Sequence, residues 1–217
     1  MPRLKRALPL FAATLGLVFA SLIPASSAQS TNPPVPADPA IILERVNSYF
    51  NALEHLRGRF TQIGPNGEFS EGVFYLERPG KIRFEYALPN PLLVVADGFW
   101  VGIEDRNLQT TDKYPLSATP LSLLLDERVD LGEEAKIIDI REEAGFISVT
   151  FEDNVGRSPG QLTLVFGSDD LMLRQWVVLD AQGLRTEISV FDLVAGSPVD
   201  PKLFWITDNA AIDVGNH

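Results

Sequence analysis

Residues 75–86 read Tyr-Leu-Glu-Arg-Pro-Gly-Lys-Ile-Arg-Phe-Glu-Tyr. Two runs of strand-like composition flank the Pro79-Gly80 pair, a dipeptide that marks turns, so the stretch predicts a β-hairpin. Side chains alternate between the two faces of a strand, and Ile82, Phe84 and Tyr86 therefore share one face. The hairpin predicts a sheet with one aromatic, apolar face and an arginine, Arg78, where its first strand ends.

Similar runs recur along most of the chain. Most are separated by short connections, as in hairpins, so we expect an antiparallel, meandering sheet. A sheet this apolar has either a packed core or a ligand cavity, and the pattern alone does not choose between them. The predicted strands are residues 57–63, 68–78, 81–87, 92–96, 99–104, 108–114, 145–152, 161–166, 171–179, 185–191 and 203–206.

One long helix is expected before the first strand. Asp38 is a suitable N-cap and Pro39 suits the first helical position. Apolar residues then recur at helical spacing and form one face. They are Ile42, Val46, Tyr49, Phe50 and Leu53.

Residues 115–143 separate the two groups of strands and are apolar and acidic by turns. Thr119 is expected to cap a short helix that runs through Leu125, and residues 135–140 form either a second helical turn or a strand. We expect this segment to lie across one face or the mouth of the sheet.

The N-terminal residues predict export. Arg3, Lys5 and Arg6 precede an apolar run and then small residues, the pattern of a secretory signal peptide cut after about Ala28; the alternative is a membrane anchor. The predicted organisation is a signal peptide (1–28), a flexible Pro-rich segment (29–37), one domain (38–207) and a C-terminal tail (208–217).

Composition restricts the function. The chain has no cysteine, which excludes a disulfide, a thiolate nucleophile and lipid attachment at a cysteine. Its net charge of −11 becomes −14 once the three basic residues of the signal peptide are removed. Such an acidic surface disfavours binding to nucleic acid or anionic membranes.

Catalytic and metal-binding patterns are missing from the sequence. The only histidines are His55 and His217, and neither has metal-ligand spacing. The carboxylates are scattered, with no pair singled out for glycoside hydrolysis, and no Gly-rich phosphate loop is present. We therefore expect no catalytic residue, no metal site and no cofactor.

Five short motifs, taken in order, resemble a known family. They are Phe60-Thr61-Gln62, Glu71-Gly72, Glu77-Arg78-Pro79, Arg83-Phe84 and Asp97-Gly98. Together with the signal peptide, this set is similar to the periplasmic outer-membrane lipoprotein carrier proteins of the LolA type. The likeness runs from about Ile42 to Ile206. Phe84 is a departure, since many relatives have tryptophan there.

The resemblance implies a fold and a function. The fold is mainly β with helices (α+β): an unclosed antiparallel β-barrel, or half-barrel, covered by an α-helical lid. The function is that of a periplasmic chaperone, not an enzyme, that binds the acyl chains of lipoproteins and carries them to the outer membrane. Implied partners are an ATP-driven releasing complex in the inner membrane and, if present, an outer-membrane lipoprotein acceptor. A monomer is the expected state.

The resemblance also implies roles for side chains. Arg78 is expected to tie the lid to the barrel through backbone carbonyls, a task that suits the five donors of a guanidinium; the alternative is a solvated arginine at a strand end. Candidate residues lining the acyl-chain cavity are Phe60, Phe74, Leu76, Phe84, Leu93, Val95, Trp100, Leu123, Leu124, Phe151, Leu164 and Trp176.

Two other functions remain open on the sequence. The first is a regulatory domain of the same fold that senses lipoproteins. The second is an exported hydrolase of the cell envelope.

Overall fold

The computed structural model describes residues 38–154, 156 and 158–207. The predicted signal peptide, Pro-rich segment and C-terminal tail lie outside these residues, so the predicted domain boundaries stay predictions. Within the described ranges, no helix is both long and apolar enough to cross a membrane.

The described chain is dominated by eleven strands, three helices and two 3-10 turns. The helices are α1 (Pro39–Ala52), α2 (Ser122–Leu125) and α3 (Leu131–Glu134), and the 3-10 turns are Leu116–Ala118 and Pro201–Phe204. The strands are β1 (His55–Ile63), β2 (Phe69–Glu77), β3 (Lys81–Tyr86), β4 (Leu92–Asp97), β5 (Trp100–Asp105), β6 (Thr110–Pro115), β7 (Ala135–Glu143), β8 (Phe146–Asp153), β9 (Gln161–Gly167), β10 (Leu173–Leu179) and β11 (Arg185–Ala195).

All eleven strands form one antiparallel sheet in the order β6-β5-β4-β3-β2-β1-β11-β10-β9-β8-β7. It consists of two meanders, β1 to β6 and β7 to β11, joined where β1 pairs with β11. The two edges, β6 and β7, are consecutive in the chain and are connected by residues 116–134, which we call the lid. The predicted unclosed antiparallel sheet is confirmed.

Helix α1 covers one face of the sheet, which we call the inner face. It begins as predicted, with the Asp38 carboxylate accepting a hydrogen bond from the Ala40 amide (2.9 Å). Ile42, Val46 and Phe50 lie four residues apart, so they form one stripe, and all three are buried against the sheet.

The inner face is packed by aromatic rings placed over glycines. Phe60 of β1 lies opposite Gly72 of β2, and Phe74 lies opposite Gly58. A Cβ atom on Gly72 would collide with the Glu85 carbonyl oxygen and with the Phe60 ring. Small and large residues alternate here because each ring needs the space above a neighbouring glycine.

The C-terminal segment covers part of the opposite, outer face. Phe204, in the second 3-10 turn, is 2% exposed and packs with Leu93 and Val95 of β4. Arg83 donates to the Leu203 carbonyl (3.2 Å). The prediction of a strand at 203–206 is wrong, because Asp200 caps the segment through the Lys202 amide and Pro201 starts a 3-10 turn.

For residues 115–143, the structure corrects one prediction and decides between the two alternatives of another. Thr119 does not cap a helix; its hydroxyl donates to the Leu116 carbonyl within the preceding 3-10 turn (2.7 Å), and α2 begins only at Ser122. Residues 135–140, left open between helix and strand, belong to strand β7.

Candidate functional site

An apolar cavity of ≈ 390 Å³ lies between the inner face and the lid. The strands are antiparallel, so the last residues of β1, β3 and β10 and the first residues of β9 and β11 meet at one end of the sheet, and the cavity lies at that end. Its walls are Gln62, Phe84, Tyr86, Val94, Leu162, Trp176, Val178, Ile188, Pro159 and Asp180, with lid residues Ala118, Thr119, Pro120 and Leu121 on top.

Beyond this cavity, towards the opposite end of the sheet, α1 and α2 fill the inner face. Only ≈ 20 Å³ of space remains there, among side chains that include Phe50, Leu124 and Leu125. Leu121 and Trp176 border both the cavity and this residual void. These two side chains therefore form the partition between the open part of the interior and the part that the helices occupy.

The predicted lining residues fall into four groups, three of which belong to the inner-face cluster. Phe84 and Trp176 border the cavity itself. Phe74, Leu76 and Leu124 border the residual void. Four more are buried in the same inner-face cluster but do not border the cavity. They are Phe60, Leu123, Phe151 and Leu164.

Leu93, Val95 and Trp100 were predicted to line the cavity, but the structure places them elsewhere. Leu93 and Val95 lie on the outer face beneath Phe204. Trp100 is 47% exposed and shares its face with Gly102, against which Ile206 packs. Strand β4 is apolar on both faces because the C-terminal segment covers the outer one, so alternation could not reveal which residues point inward.

Sequence reasoning missed most residues of the cavity wall, among them Gln62, Tyr86 and Leu121. For two of them a signal existed: Gln62 shares the inner-face parity of Phe60, and Tyr86 shares that of Phe84. The position of Leu121 depends on how the lid crosses the sheet, and local sequence does not determine that.

Arg78 lies at the end of the sheet opposite the cavity and joins three elements. Its guanidinium donates to the Phe50 carbonyl at the end of α1 and to the Asp126 carbonyl in the lid. A longer bond reaches the Glu127 carbonyl (3.3 Å). The neighbouring Gly80 amide also donates to the lid, at the Leu125 carbonyl (2.7 Å). The β2–β3 turn therefore fastens both α1 and the lid in the closed arrangement.

The Arg78 side chain is only 9% exposed. Burial lowers the pKa of its guanidinium below the ordinary value, and the nearby Asp126 carboxylate opposes that shift. Its Nε has no hydrogen-bond partner among the described residues. Since an unsatisfied buried donor costs free energy, the closed arrangement is held less tightly than its three carbonyl contacts suggest.

The sequence identifies the family to which these features belong. A family model described as "Outer membrane lipoprotein carrier protein LolA" matches residues 51–207. That range includes β1 to β11, Arg78, the lid and every residue that borders the cavity. The chain belongs to the LolA family.

Curated LolA relatives match over most of their length. An outer-membrane lipoprotein carrier protein from Methylococcus capsulatus is 30% identical over 179 residues, covering 78% of this chain and 85% of the relative. Another, from Xanthomonas oryzae pv. oryzae, is 32% identical over 185 residues, covering 79% and 86%. A solved LolA superfamily protein from Nitrosomonas europaea, 7% identical, gives a TM-score of 0.46 and covers 79% and 98%. The assignment to LolA rests on the sequence matches.

In this LolA chain, two asparagines of α1 bind the lid near its end. The Asn51 side-chain amide donates to the Val129 carbonyl (2.9 Å), and its oxygen accepts from the Val129 amide (2.8 Å). One turn earlier, the Asn47 oxygen accepts from the Leu131 amide (3.1 Å). Residues 129–131 are therefore fixed to α1, whereas residues 125–127 depend on Arg78 and Gly80.

A larger groove, of ≈ 560 Å³, runs along the other side of the lid, beside the β2–β3 and β4–β5 turns. Charged side chains line it, among them Lys81, Asp97 and Glu127. An alkyl chain in this groove would lie against charged, solvated groups, so the smaller cavity is the better apolar site. The described residues contain no cluster of three or more His, Cys, Asp or Glu side chains that could hold a metal ion.

Proposed function

We propose that this chain is a periplasmic chaperone that binds the acyl chains of lipoproteins and carries them from the inner to the outer membrane. The observation that carries the proposal is the apolar cavity beneath a lid that polar contacts fasten at its far end. Membership of a family described as lipoprotein carriers supports the cargo. We further propose export by cleavage near Ala28, a monomeric state, and no catalytic activity.

The cavity is suited to alkyl chains but too small for a whole lipid anchor. At roughly 30 Å³ per water-sized group, ≈ 390 Å³ holds about thirteen methylenes, less than one long acyl chain. Each methylene removed from water contributes ~0.8 kcal/mol. Burial of a complete anchor therefore requires α2 and its apolar side chains to leave the inner face.

The partition residues explain how cargo would open the lid. An acyl chain that fills the cavity presses on Leu121, whose neighbours in α2 occupy the space beyond. Displacing α2 draws the carbonyls of residues 125–127 away from Gly80 and Arg78. In this mechanism, Arg78 holds the lid closed and releases it when acyl chains enter.

Transfer then requires partners at both membranes. The proposed donor is an ATP-driven complex of the inner membrane, and the proposed receiver is an outer-membrane lipoprotein acceptor. Energy input at the donor is reasonable because tens of kcal/mol oppose the transfer of free acyl chains into water.

The test is release of labelled lipoproteins from spheroplasts on addition of the purified protein. We expect lipoprotein in the supernatant, bound to the chain and with its acyl groups intact by mass spectrometry. Two results would overturn the proposal. One is no release where an established carrier releases cargo; the other is turnover of a model ester or glycoside, which would instead support an envelope hydrolase.

A further inference from the structure

We propose that Gln62 recognises the carbonyl group of a fatty acyl ester or amide, so that cargo enters the cavity tail first with its carbonyl held at Gln62. This inference rests on the proposed function and assigns a polar recognition element to the same cavity. The proposed contact is a hydrogen bond to the ligand's carbonyl oxygen, in addition to burial of its alkyl chain.

The cavity has few polar groups, and most already have partners within the protein. The Thr119 hydroxyl donates to the Leu116 carbonyl (2.7 Å). The Asp180 carboxylate accepts from the amides of Gln182 and Leu184 (2.8 and 2.9 Å) within its own turn. Neither group needs a ligand to satisfy its main hydrogen bonds.

Gln62 and Tyr86 differ from these groups. The Tyr86 hydroxyl donates to Gln62 Oε1 (2.7 Å). This bond uses the oxygen of the Gln62 amide and leaves its nitrogen, with two N–H donors, without a hydrogen-bond partner among the described residues. Gln62 is half-buried in the cavity wall, so these two donors are open to water or to a ligand that enters.

Tyr86 fixes how the Gln62 amide is turned. The Tyr86 side chain is buried, packed edge-on against Phe60 at 5.1 Å between ring centroids. Burial raises the pKa of its phenol to about 12, so it stays a neutral donor across the physiological range. A fixed donor on Oε1 keeps the amide nitrogen free.

The unused donors match one part of a lipid anchor. An ester carbonyl accepts hydrogen bonds and offers none, while an alkyl chain does neither. Gln62 is the second-to-last residue of β1, at the end of the sheet where the cavity lies, and the Leu121–Trp176 partition is at the cavity's inner limit. A carbonyl at Gln62 therefore leaves the alkyl tail directed towards the lid that it must displace.

The test compares probes that share one alkyl chain and differ at the carbonyl. Hexadecanoylglycerol carries an ester, N-hexadecanoyl ethanolamine carries an amide, and hexadecylglycerol is an ether without a carbonyl. Each displaces a fluorescent fatty-acid probe from the purified protein. The measured quantity is the ratio of the ether's Kd to that of each carbonyl probe.

Two substitutions remove the donors in different ways. Gln62→Met is of similar length and apolar. Gln62→Glu keeps an oxygen for Tyr86 but offers no N–H, and it keeps the test decisive if the first variant folds poorly. Gln175→Leu is the matched control, because Gln175 hydrogen-bonds Glu187 (2.9 Å) on the outer face.

We expect both Gln62 variants to lower the ratio by about two- to tenfold, the usual range for one hydrogen bond, and Gln175→Leu to leave it unchanged. If the ratio falls only for the ester probe, Gln62 binds ester carbonyls; if it falls only for the amide probe, Gln62 binds amide carbonyls. Ratios unchanged by both Gln62 variants would overturn the inference while leaving the carrier function intact. Failure of all three probes to bind wild-type protein would instead contradict the proposed function.

Discussion

Replacing Arg78 with leucine should loosen the lid. The charge-assisted bond to the Asp126 carbonyl is worth about 1.5–3 kcal/mol, and the longer bond to Glu127 contributes less. The bond to Phe50 joins the β2–β3 turn to α1 and is not broken when the lid moves. Against the two lid bonds stands the buried Nε without a partner, which costs about 1–3 kcal/mol. The net stabilisation of the closed lid is on the order of 1–2 kcal/mol.

Loss of this free energy in Arg78→Leu should make the protein bind acyl chains more tightly. Removing it raises the fraction of molecules ready to accept an acyl chain, so the Kd for a fluorescent fatty acid should fall by about 5- to 30-fold. Hand-over of bound lipoprotein to acceptor membranes should slow, because reclosure no longer helps to expel cargo. Hydrogen exchange should accelerate at residues 122–127 and stay unchanged in the β1–β11 pair.

Two variants separate the role of Arg78 from loss of a charge. Arg78→Lys keeps the charge but not the fork that reaches both α1 and the lid, so its effects should be intermediate. Arg59→Leu removes a 57% exposed guanidinium paired with Asp192 and should behave like wild type. Arg78→Leu with wild-type exchange in the lid and wild-type pick-up and hand-over would refute the latch.

Three further changes test other parts of the structure. Asn51→Ala removes both bonds to Val129 and should lower the free energy of unfolding by ~1–3 kcal/mol, with faster amide exchange at Val129. Gly72→Ala places a methyl group against the Glu85 carbonyl and should cost about 3 kcal/mol in urea denaturation. Burial raises the pKa of the Tyr86 phenol to about 12 in the folded protein, whereas in the unfolded chain it is near 10. Its contribution to the free energy of unfolding is therefore complete below pH 10 and is lost between pH 10 and 12. Urea midpoints measured across that range should show the loss.

Each of these predictions has a control. Asn107→Ala, in the β5–β6 turn, should leave stability unchanged. Gly132→Ala, in α3, meets no atom closer than 3.5 Å and should be tolerated. Tyr86→Phe should show a smaller fall in stability above pH 10 than wild type; part of the fall remains because burial also raises the pKa of the Tyr49 phenol. A Gly72→Ala protein as stable as Gly132→Ala would contradict the packing described for the inner face.

The alternating strands and α1 were predictable because their signals are local. Asp38 and Pro39 define a helix start, and the Ile82, Phe84, Tyr86 series has one apolar face. Strand β4 was predicted at 92–96, but its inward face was not predictable from alternation, since Leu92 to Ala96 are apolar on both faces and only the docked C-terminal segment explains why. Alternation also fails in β10, where an irregularity between Leu173 and Gln175 puts Leu173 and Trp176 in the same cluster.

The candidate site could be predicted only in outline. The family resemblance pointed to Arg78 as a link between lid and barrel, and the structure places its guanidinium against both. The partners of that link, Phe50 and residues 126–127, contribute backbone carbonyls, which leave no mark on side-chain identity. Gln62 and Tyr86 meet across β1, β2 and β3, so their pairing depends on register, which no short motif encodes.

The pairing of β1 with β11 has a consequence for how the chain folds after synthesis. Phe60 forms its ladder with Val190, so the first strand lacks half its partners until nearly the entire polypeptide is available. Contacts of such high contact order form slowly, because closing a long loop costs entropy before any interaction offsets it. A newly synthesised molecule therefore has to protect two incomplete meanders, each with an apolar face, until they join. Dependence on folding helpers and loss to aggregation should concentrate at this stage.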